Sequence, residues 1–159
     1  MTHVPEHTIR RAGDRGFSVP ELLIVVTIIA IVSGIAVASI QSARAGYQLY
    51  TSGYTISAKL DDARTNALKR NRPVWLLVDP SAQSLQVQTT AAGGVTTNVG
   101  GPEFLNKSMQ FVGITTAQQV TFDAIGRPVS PPQTIQVQHL QSGRTRTITI
   151  ASTGKITVQ

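Results

Sequence analysis

The pattern of apolar and polar residues divides the chain into a long helical segment and a series of short strands. Residues 22–40 form an uncharged, mostly apolar run of nineteen residues, which is enough for one membrane-spanning helix. Beyond it, small or apolar residues recur every three or four positions, as expected for one stripe of an amphipathic helix. This stripe comprises Leu49, Gly53, Ile56, Leu60, Ala63 and Ala67. Because Pro73 disfavours helical geometry in the residue before it, the pattern predicts a helix from Phe17 to Asn71.

Short segments separated by turn residues follow Pro73 and predict antiparallel β-structure. The predicted strands are 74–78, 85–89, 109–112, 120–122, 134–140, 145–151 and 155–158. Residues 79–84 are typical of a hairpin loop, whereas the Gly-, Thr- and Asn-rich segment 91–101 is predicted to be a loop. The expected fold class is therefore α+β, with a long N-terminal helix, transmembrane and then amphipathic, packed on a C-terminal antiparallel β-sheet domain.

A Gly-Phe junction with a basic leader precedes the apolar run. The leader ends at Gly16 and is followed by Phe17, and it contains three arginines and two carboxylates. Positively charged residues of this kind stay on the cytoplasmic side of a membrane. A lone carboxylate, Glu21, lies just before the run, where a charge near hydrocarbon is costly and indicates function. An ordinary secretory signal places its apolar stretch ahead of the cleavage site. Here the apolar helix would remain in the mature chain.

This arrangement resembles the cleavage and methylation signal of type IV pilins and of the pseudopilins of type II secretion. The resemblance implies that a prepilin peptidase cuts between Gly16 and Phe17 and methylates the new N-terminus. Residues 1–16 would be the leader peptide, 17–45 the transmembrane and filament-core helix, and 46–159 a periplasmic domain. Glu21 would pair with the α-amino group of Phe17 on a neighbouring subunit and set the register of assembly. A generic single-pass anchor with a chance Gly-Phe pair is the alternative.

Three phrases further along the chain are similar to parts of the GspH/FimT family. They are 63–68 followed by Pro73-Val74, the turn 122–128 that matches "FDxxGRP", and the ending 148–156. The family includes minor pseudopilins of type II secretion and minor pilins of type IV pili. The resemblance implies a pilin-like fold, a single pass through the inner membrane and other filament subunits as partners. It also implies a low copy number and a position at or near the filament tip.

Composition narrows the classes of function. From residue 17 onward, eleven Lys and Arg stand against six Asp and Glu, and this excess favours an acidic partner such as DNA, acidic polysaccharide or anionic lipid. A merely solvated surface is the alternative. Without cysteine, thiol catalysis and zinc–thiolate sites are excluded. His139 is the one histidine after the leader, and neither a metal-ligand spacing nor a nucleophile motif surrounds it. We expect no enzyme activity, no metal and no cofactor.

A Gly-Arg-x-Arg sequence, residues 143–146, is the candidate binding motif. It is similar to the C-terminal motif of DNA-binding FimT-type minor pilins. Alternate residues of a strand point to the same side, so Arg144 and Arg146 could contact neighbouring phosphates. Arg127 and Lys155 are expected to extend this basic patch. No aromatic residue interleaves with the arginines in the sequence, so base stacking is not indicated.

Two functions remain open at this point. One is a minor pilin that captures DNA for natural transformation. The other is a GspH-type pseudopilin that primes filament assembly and contacts secreted exoprotein without binding DNA, in which case the arginines only keep an exposed hairpin soluble. A third reading is a membrane-anchored binding domain that is not cut at Gly16. Tyr47 and Tyr50 could mark the membrane interface, or pack against neighbouring subunits as Tyr54 could.

Overall fold

The computed structural model describes residues 17–91, 93–130 and 133–159. The leader and the predicted cleavage residue Gly16 lie outside these ranges. The chain divides into two compact units, Met1–Ser39 and Ile40–Gln159, and helix α1 (Val19–Arg70) contributes to both. The predicted end of the helix is confirmed: Asn71 adopts a left-handed φ of 49°, and Pro73 follows it.

In the first unit, the described residues are helical from Val19 onward, and the apolar side chains of residues 19–35 are exposed. Leu22, Ile28 and Ile35, for example, are 57%, 55% and 69% exposed. α1 is long and apolar enough to cross a membrane. Glu21 occupies its first turn, where a carboxylate interacts favourably with the positive end of the helix dipole.

The second unit combines the remainder of α1 with antiparallel β-structure. Its described part contains β1 (Val74–Asp79), β2 (Ser84–Thr90), β3 (Thr96–Asn98), β4 (Glu103–Phe104), β5 (Met109–Val112), β6 (Gln118–Phe122), β7 (Gln133–His139), β8 (Thr145–Ile150) and β9 (Ile156–Val158). One sheet has the order β3-β2-β1-β6, with β4 also paired to β2, and the other has the order β5-β7-β8-β9. The predicted α+β class is confirmed, with two sheets where the strand pattern predicted one.

The prediction of a loop over 91–101 is wrong in part, because this segment contains β3. Thr97 of β3 lies opposite Thr89 of β2, and Gln88 Nε2 donates a hydrogen bond to Asn98 Oδ1 over 3.0 Å. All three residues of β3 are exposed, so the strand buries no apolar side chain. Backbone pairing and polar side chains join it to the sheet, and apolar periodicity therefore gave no sign of it.

One hydrophobic core lies between α1 and the inner faces of both sheets. The predicted helix stripe is confirmed: Gly53 is buried, Leu49 is 7% exposed, and the other four members are fully buried. The strands contribute alternate residues to this core, as strand geometry requires. Their fully buried members include Leu76, Phe122, Val137 and Ile148. This packing fixes which side of each strand faces the helix.

Candidate functional site

A groove lies on one flank of α1, between the helix and the edge strand β9. Its volume is about 690 Å³, and its lining includes Tyr54, Asp61 and Arg64 of the helix together with Lys155 and Ile156. β9 pairs only with β8 among the described strands. The groove therefore follows the open edge of the second sheet.

The two arginines of the Gly-Arg-x-Arg sequence lie on the same flank of α1. A Cβ on Gly46 would lie 3.9 Å from Nη1 of Arg144, and a Cβ on Gly53 would lie 2.8 Å from Cδ of Arg146. A Cβ on Gly53 would also lie 3.3 Å from Cγ1 of Val158, which lines the groove. Residues 46 and 53 are seven positions apart and so lie on one side of a helix. Arg146 thus adjoins the groove, and Arg144 lies two turns nearer the start of the unit.

Arg146 is held against the helix, whereas Arg144 is exposed. The guanidinium carbon of Arg146 lies 4.9 Å from the ring centroid of Tyr50, within the range of a cation–π interaction. Among the described residues, Nε of Arg146 is buried without a hydrogen-bond partner. The missing side chain at Gly53 provides the space for this close approach. Arg146 therefore helps to fix the β7–β8 hairpin on α1, and Arg144 is the arginine that is free to meet a ligand.

Buried His139 anchors the turn that carries these arginines. It is 3% exposed, and its Nδ1 accepts a hydrogen bond from the backbone N–H of Ser142 over 3.1 Å. Nε2 then carries the proton and donates to Oε1 of Gln48 on α1, also over 3.1 Å. These bonds use both ring nitrogens of a neutral imidazole. The role of His139 is to position the turn.

At the other end of the groove, the three phrases that resemble the GspH/FimT family meet at Arg64. Its Nε donates a hydrogen bond over 3.1 Å to the backbone oxygen of Gly126, in the turn between β6 and β7. A Cβ on Gly154, in the β8–β9 turn, would lie 2.5 Å from that oxygen and 3.1 Å from Nε of Arg64. Gly154 has a φ of +81°. This close packing joins the helix to two turns and sets the position of Lys155.

The other two predicted basic residues lie at this end of the flank. Lys155 is exposed and lines the groove. Exposed Arg127 follows Gly126, and its backbone N–H donates a hydrogen bond to Oδ1 of Asp123 over 2.7 Å. Asp61 also lines the groove and partly offsets its positive charge. The sequence-predicted cations thus follow one side of α1 over roughly 27 Å between Gly46 and Arg64, at 1.5 Å per residue.

No aromatic residue interleaves with the arginines in the sequence, but tyrosines of α1 lie beside them in three dimensions. Tyr50 lies beneath Arg146, and Tyr54 lines the groove with 66% of its surface exposed. Sequence reasoning missed these tyrosines and Arg64 because they come from α1, about ninety positions before the arginines. A signal was present: the spacing of Gly46, Tyr50 and Gly53 places two glycines and a tyrosine on one side of the helix, where a second element can approach.

No cluster of histidine and carboxylate side chains suitable for a metal ion occurs among the described residues. The arrangement of the groove offers positive charge, aromatic surface and hydrogen-bond donors, and its chemistry is that of binding.

Comparisons with known proteins agree with the fold. The family model described as Type II transport protein GspH matches residues 54–154, and the model described as Prokaryotic N-terminal methylation motif matches residues 11–37. A search of curated protein sequences gave no significant match. Gly16, Phe17 and Glu21 lie within the matched methylation motif. The helix side of the groove and Thr153 lie within the matched family region, whereas Lys155, Ile156 and Val158 lie just beyond it.

The solved structures that are similar to this chain include those of a minor pseudopilin and a minor pilin. The minor pseudopilin EpsH from the type 2 secretion system of Vibrio cholerae is 13% identical, with a TM-score of 0.59, and the match covers 70% of this chain and 96% of EpsH. The type IV minor pilin FimU of Pseudomonas aeruginosa is 18% identical, with a TM-score of 0.58, and the match covers 71% of this chain and 89% of FimU. At these identities the likeness establishes a shared fold.

Proposed function

The chain belongs to the GspH family of type II transport proteins, and from this premise we propose that it is a minor pilin or pseudopilin, a membrane-anchored subunit of a type IV pilus or type II secretion filament. The observation that carries the proposal is the exposed apolar surface of α1 in the first unit. Such a surface is stable only in lipid or against other apolar helices. A filament subunit uses both environments in turn.

Processing and assembly complete this proposal. A prepilin peptidase cleaves between Gly16 and Phe17 and methylates the new N-terminus, and the second unit faces the periplasm. In the filament, the carboxylate of Glu21 pairs with the α-amino group of a neighbour's Phe17, which is mostly protonated at neutral pH. We assign no catalytic residue and no cofactor.

Shearing filaments from cells that produce the chain at its natural level tests the proposal. We expect a small part of the chain in the sheared filament fraction and the remainder in the inner membrane, as for a low-copy subunit. Detection in the membrane alone, under conditions in which other subunits appear in the sheared fraction, would show an anchor without a role in assembly.

DNA is a candidate ligand of the second unit, and the alignment of basic residues on one flank of α1 favours it. Exposed Arg144 would make the first phosphate contact, Lys155 and Arg127 would continue it, and Arg146 would hold the hairpin in place. Contacts of this kind are made to the backbone and are therefore weakly dependent on sequence and strongly dependent on salt. Exposed Tyr54 adds a surface on which an unpaired base could stack. Without DNA binding, the same face remains available for exoprotein or other minor subunits at the tip.

Replacing Arg144 and Lys155 by glutamine tests DNA binding without disturbing Arg146. We expect the affinity of the full-length protein in detergent for a short DNA duplex to fall about tenfold or more. The salt slope should fall by about one for each lost phosphate contact. Fluorescence anisotropy at low and physiological salt measures both quantities.

The matched control for this experiment removes two positive charges elsewhere. Lys69 and Arg70, in the last turn of α1, can be replaced by glutamine with the same change in net charge and should leave the affinity nearly unchanged. Equal losses of affinity in the two double variants would show that net charge, and not the position of Arg144 and Lys155, determines DNA binding. No binding by the unchanged protein at low salt would exclude DNA and favour the secretion pseudopilin.

A further inference from the structure

We propose that Arg44, Lys107 and Arg144 form a basic collar around α1 that binds the anionic phospholipid headgroups of the membrane in which the subunit is anchored. The proposal rests on the membrane anchoring proposed above. It concerns a surface other than the groove, because Arg44 and Lys107 line no part of the groove.

Three separate segments bring the collar together at one level of the helix. Arg44 belongs to α1 and lines a cavity of about 440 Å³ with His139 and Gln141 of the β7–β8 hairpin. Arg144 of the same hairpin lies at Gly46, with 3.9 Å between its Nη1 and a Cβ placed there. Residues 44 and 46 are about 200° apart around a helix, so the hairpin spans the helix and places these two cations on opposite flanks.

Lys107 is tied to the same level by its neighbour. Ser108 Oγ donates a hydrogen bond to Oε1 of Gln48 over 3.0 Å, and the backbone oxygen of Ser108 accepts one from the N–H of Leu140 over 2.8 Å. The loop that carries Lys107 therefore contacts both α1 and the β7–β8 hairpin. Arg44, Lys107 and Arg144 are all exposed.

The collar lies just beyond the end of the apolar run, with Arg44 at the depth of the headgroup layer and the helix positions next to Arg144 and Lys107 a few ångströms beyond it. Ile40 is the last residue of that run, and Arg44 follows it by about 6 Å along the helix, with Gln48 about 6 Å further. The headgroup region on each side of the hydrocarbon is about 5–8 Å deep. Long cationic side chains reach along such an interface. The collar thus lies where lipid phosphates begin, and exposed Tyr47 supplies an aromatic side chain at the same level.

Charge and geometry favour a lipid surface over DNA for this cluster. Lys and Arg are normally scarce on the exported flank of a membrane span, so three of them at one level indicate an anionic counterpart. Residues 44 and 48 are about 40° apart around the helix, so Arg44 and the loop of Lys107 share one flank and Arg144 lies on the other. A planar layer can reach both flanks, whereas a duplex along the groove reaches only Arg144. The acidic residue near Lys107 in the chain, Glu103, already has a cationic partner, since its carboxylate lies 3.9 Å from Nζ of Lys59.

Quenching of a single label in vesicles tests this proposal. Since the sequence has no cysteine, exposed Gln141 can be replaced by cysteine and carry a polarity-sensitive dye in the full-length chain. Vesicles are made of phosphatidylcholine alone or of phosphatidylcholine with phosphatidylglycerol, and acrylamide is the neutral quencher. We expect quenching to be lower by about twofold or more in the anionic vesicles, and high salt should remove the difference.

Three variants make the result specific to the collar. Replacing Arg44, Lys107 and Arg144 by glutamine should abolish the dependence of quenching on lipid charge. A label at Lys69→Cys, about 38 Å beyond Arg44 along α1, should show no such dependence. The Arg44→Gln/Lys107→Gln variant should retain its affinity for DNA. A loss of DNA affinity in this variant, with its response to lipid charge unchanged, would assign the two cations to DNA and overturn the proposal.

Failure of the collar can be separated from failure of the anchor. If the chain floats with both kinds of vesicle but quenching does not depend on lipid charge, the collar is excluded and anchoring stands. If the chain does not float with either vesicle, both proposals are overturned.

Discussion

Replacing Glu21 by valine is expected to lower the amount of the chain in filaments about tenfold or more, while its amount in the membrane stays near the original level. In lipid a single carboxylate at the end of the apolar run is a cost, so its removal does not weaken anchoring. In the filament, however, the α-amino group of a neighbour's Phe17 would be buried without its partner. Breaking a buried charge pair by removing one member costs about 3–5 kcal/mol, which corresponds to more than a hundredfold in an equilibrium.

A matched control for this prediction exists in the same apolar run. Thr27→Val also replaces a polar side chain by valine; its hydroxyl donates only to the backbone oxygen of Leu23 one turn earlier, over 2.7 Å. This variant should enter filaments as the unchanged chain does. Quantitative blotting of the sheared and membrane fractions measures both variants. Similar losses of both variants from the filament fraction would indicate that assembly requires polar side chains in this run in general. Normal assembly of Glu21→Val would contradict the proposed pair of Glu21 with the α-amino group of Phe17.

Replacing Gly154 by alanine is expected to lower the free energy of unfolding by about 3 kcal/mol or more. The residue has a φ of +81°, which costs a non-glycine residue about 1–2 kcal/mol. A Cβ would also lie 2.5 Å from the backbone oxygen of Gly126, and overpacking of this kind costs about 1–3 kcal/mol. Small domains are stabilised by only about 5–15 kcal/mol, so this loss would be a large part of the total stability and easy to measure.

Gly94 separates the two causes, since its φ is also +81° and no atom of the residues that the structure describes lies within 4 Å of the position of its Cβ. Gly94→Ala should therefore show only the backbone cost, about 1–2 kcal/mol. Urea unfolding of the full-length protein in detergent, followed by the fluorescence of Trp75, compares them. Equal destabilisation would show that the packing of Gly154 against Gly126 contributes nothing, and that the junction at Arg64 is looser than described.

The sequence predicted the elements whose periodicity is strong and failed where side chains carry no signal. Helix α1 follows from an uninterrupted apolar run, a clear stripe and Pro73, and strands such as β5 and β7 alternate in hydrophobicity. β3 and β4 are exposed, and backbone pairing with β2, supported in β3 by polar side chains, adds them to the sheet. The division into two sheets also escaped prediction, because the pairing of β1 with β6 joins segments about forty residues apart.

The candidate site shows the same limit. The motif Gly143–Arg146 could be recognised from sequence, and so could its basic neighbours Arg127 and Lys155, because short phrases carry them. The contact of Arg146 with Tyr50 could not, since it depends on how β8 crosses a helix distant in sequence. That contact changes the interpretation of the motif, because it gives Arg146 a structural role and leaves Arg144 exposed.

The N-terminal peptide of this chain, recovered from sheared filaments and identified by mass spectrometry, tests the central claim most directly. A processed subunit that has entered a filament is predicted to begin at Phe17 with a methylated α-amino group. A chain that retains residues 1–16, or that begins elsewhere in the apolar run, would contradict the claim that it is cut and assembled as a pilin-like subunit.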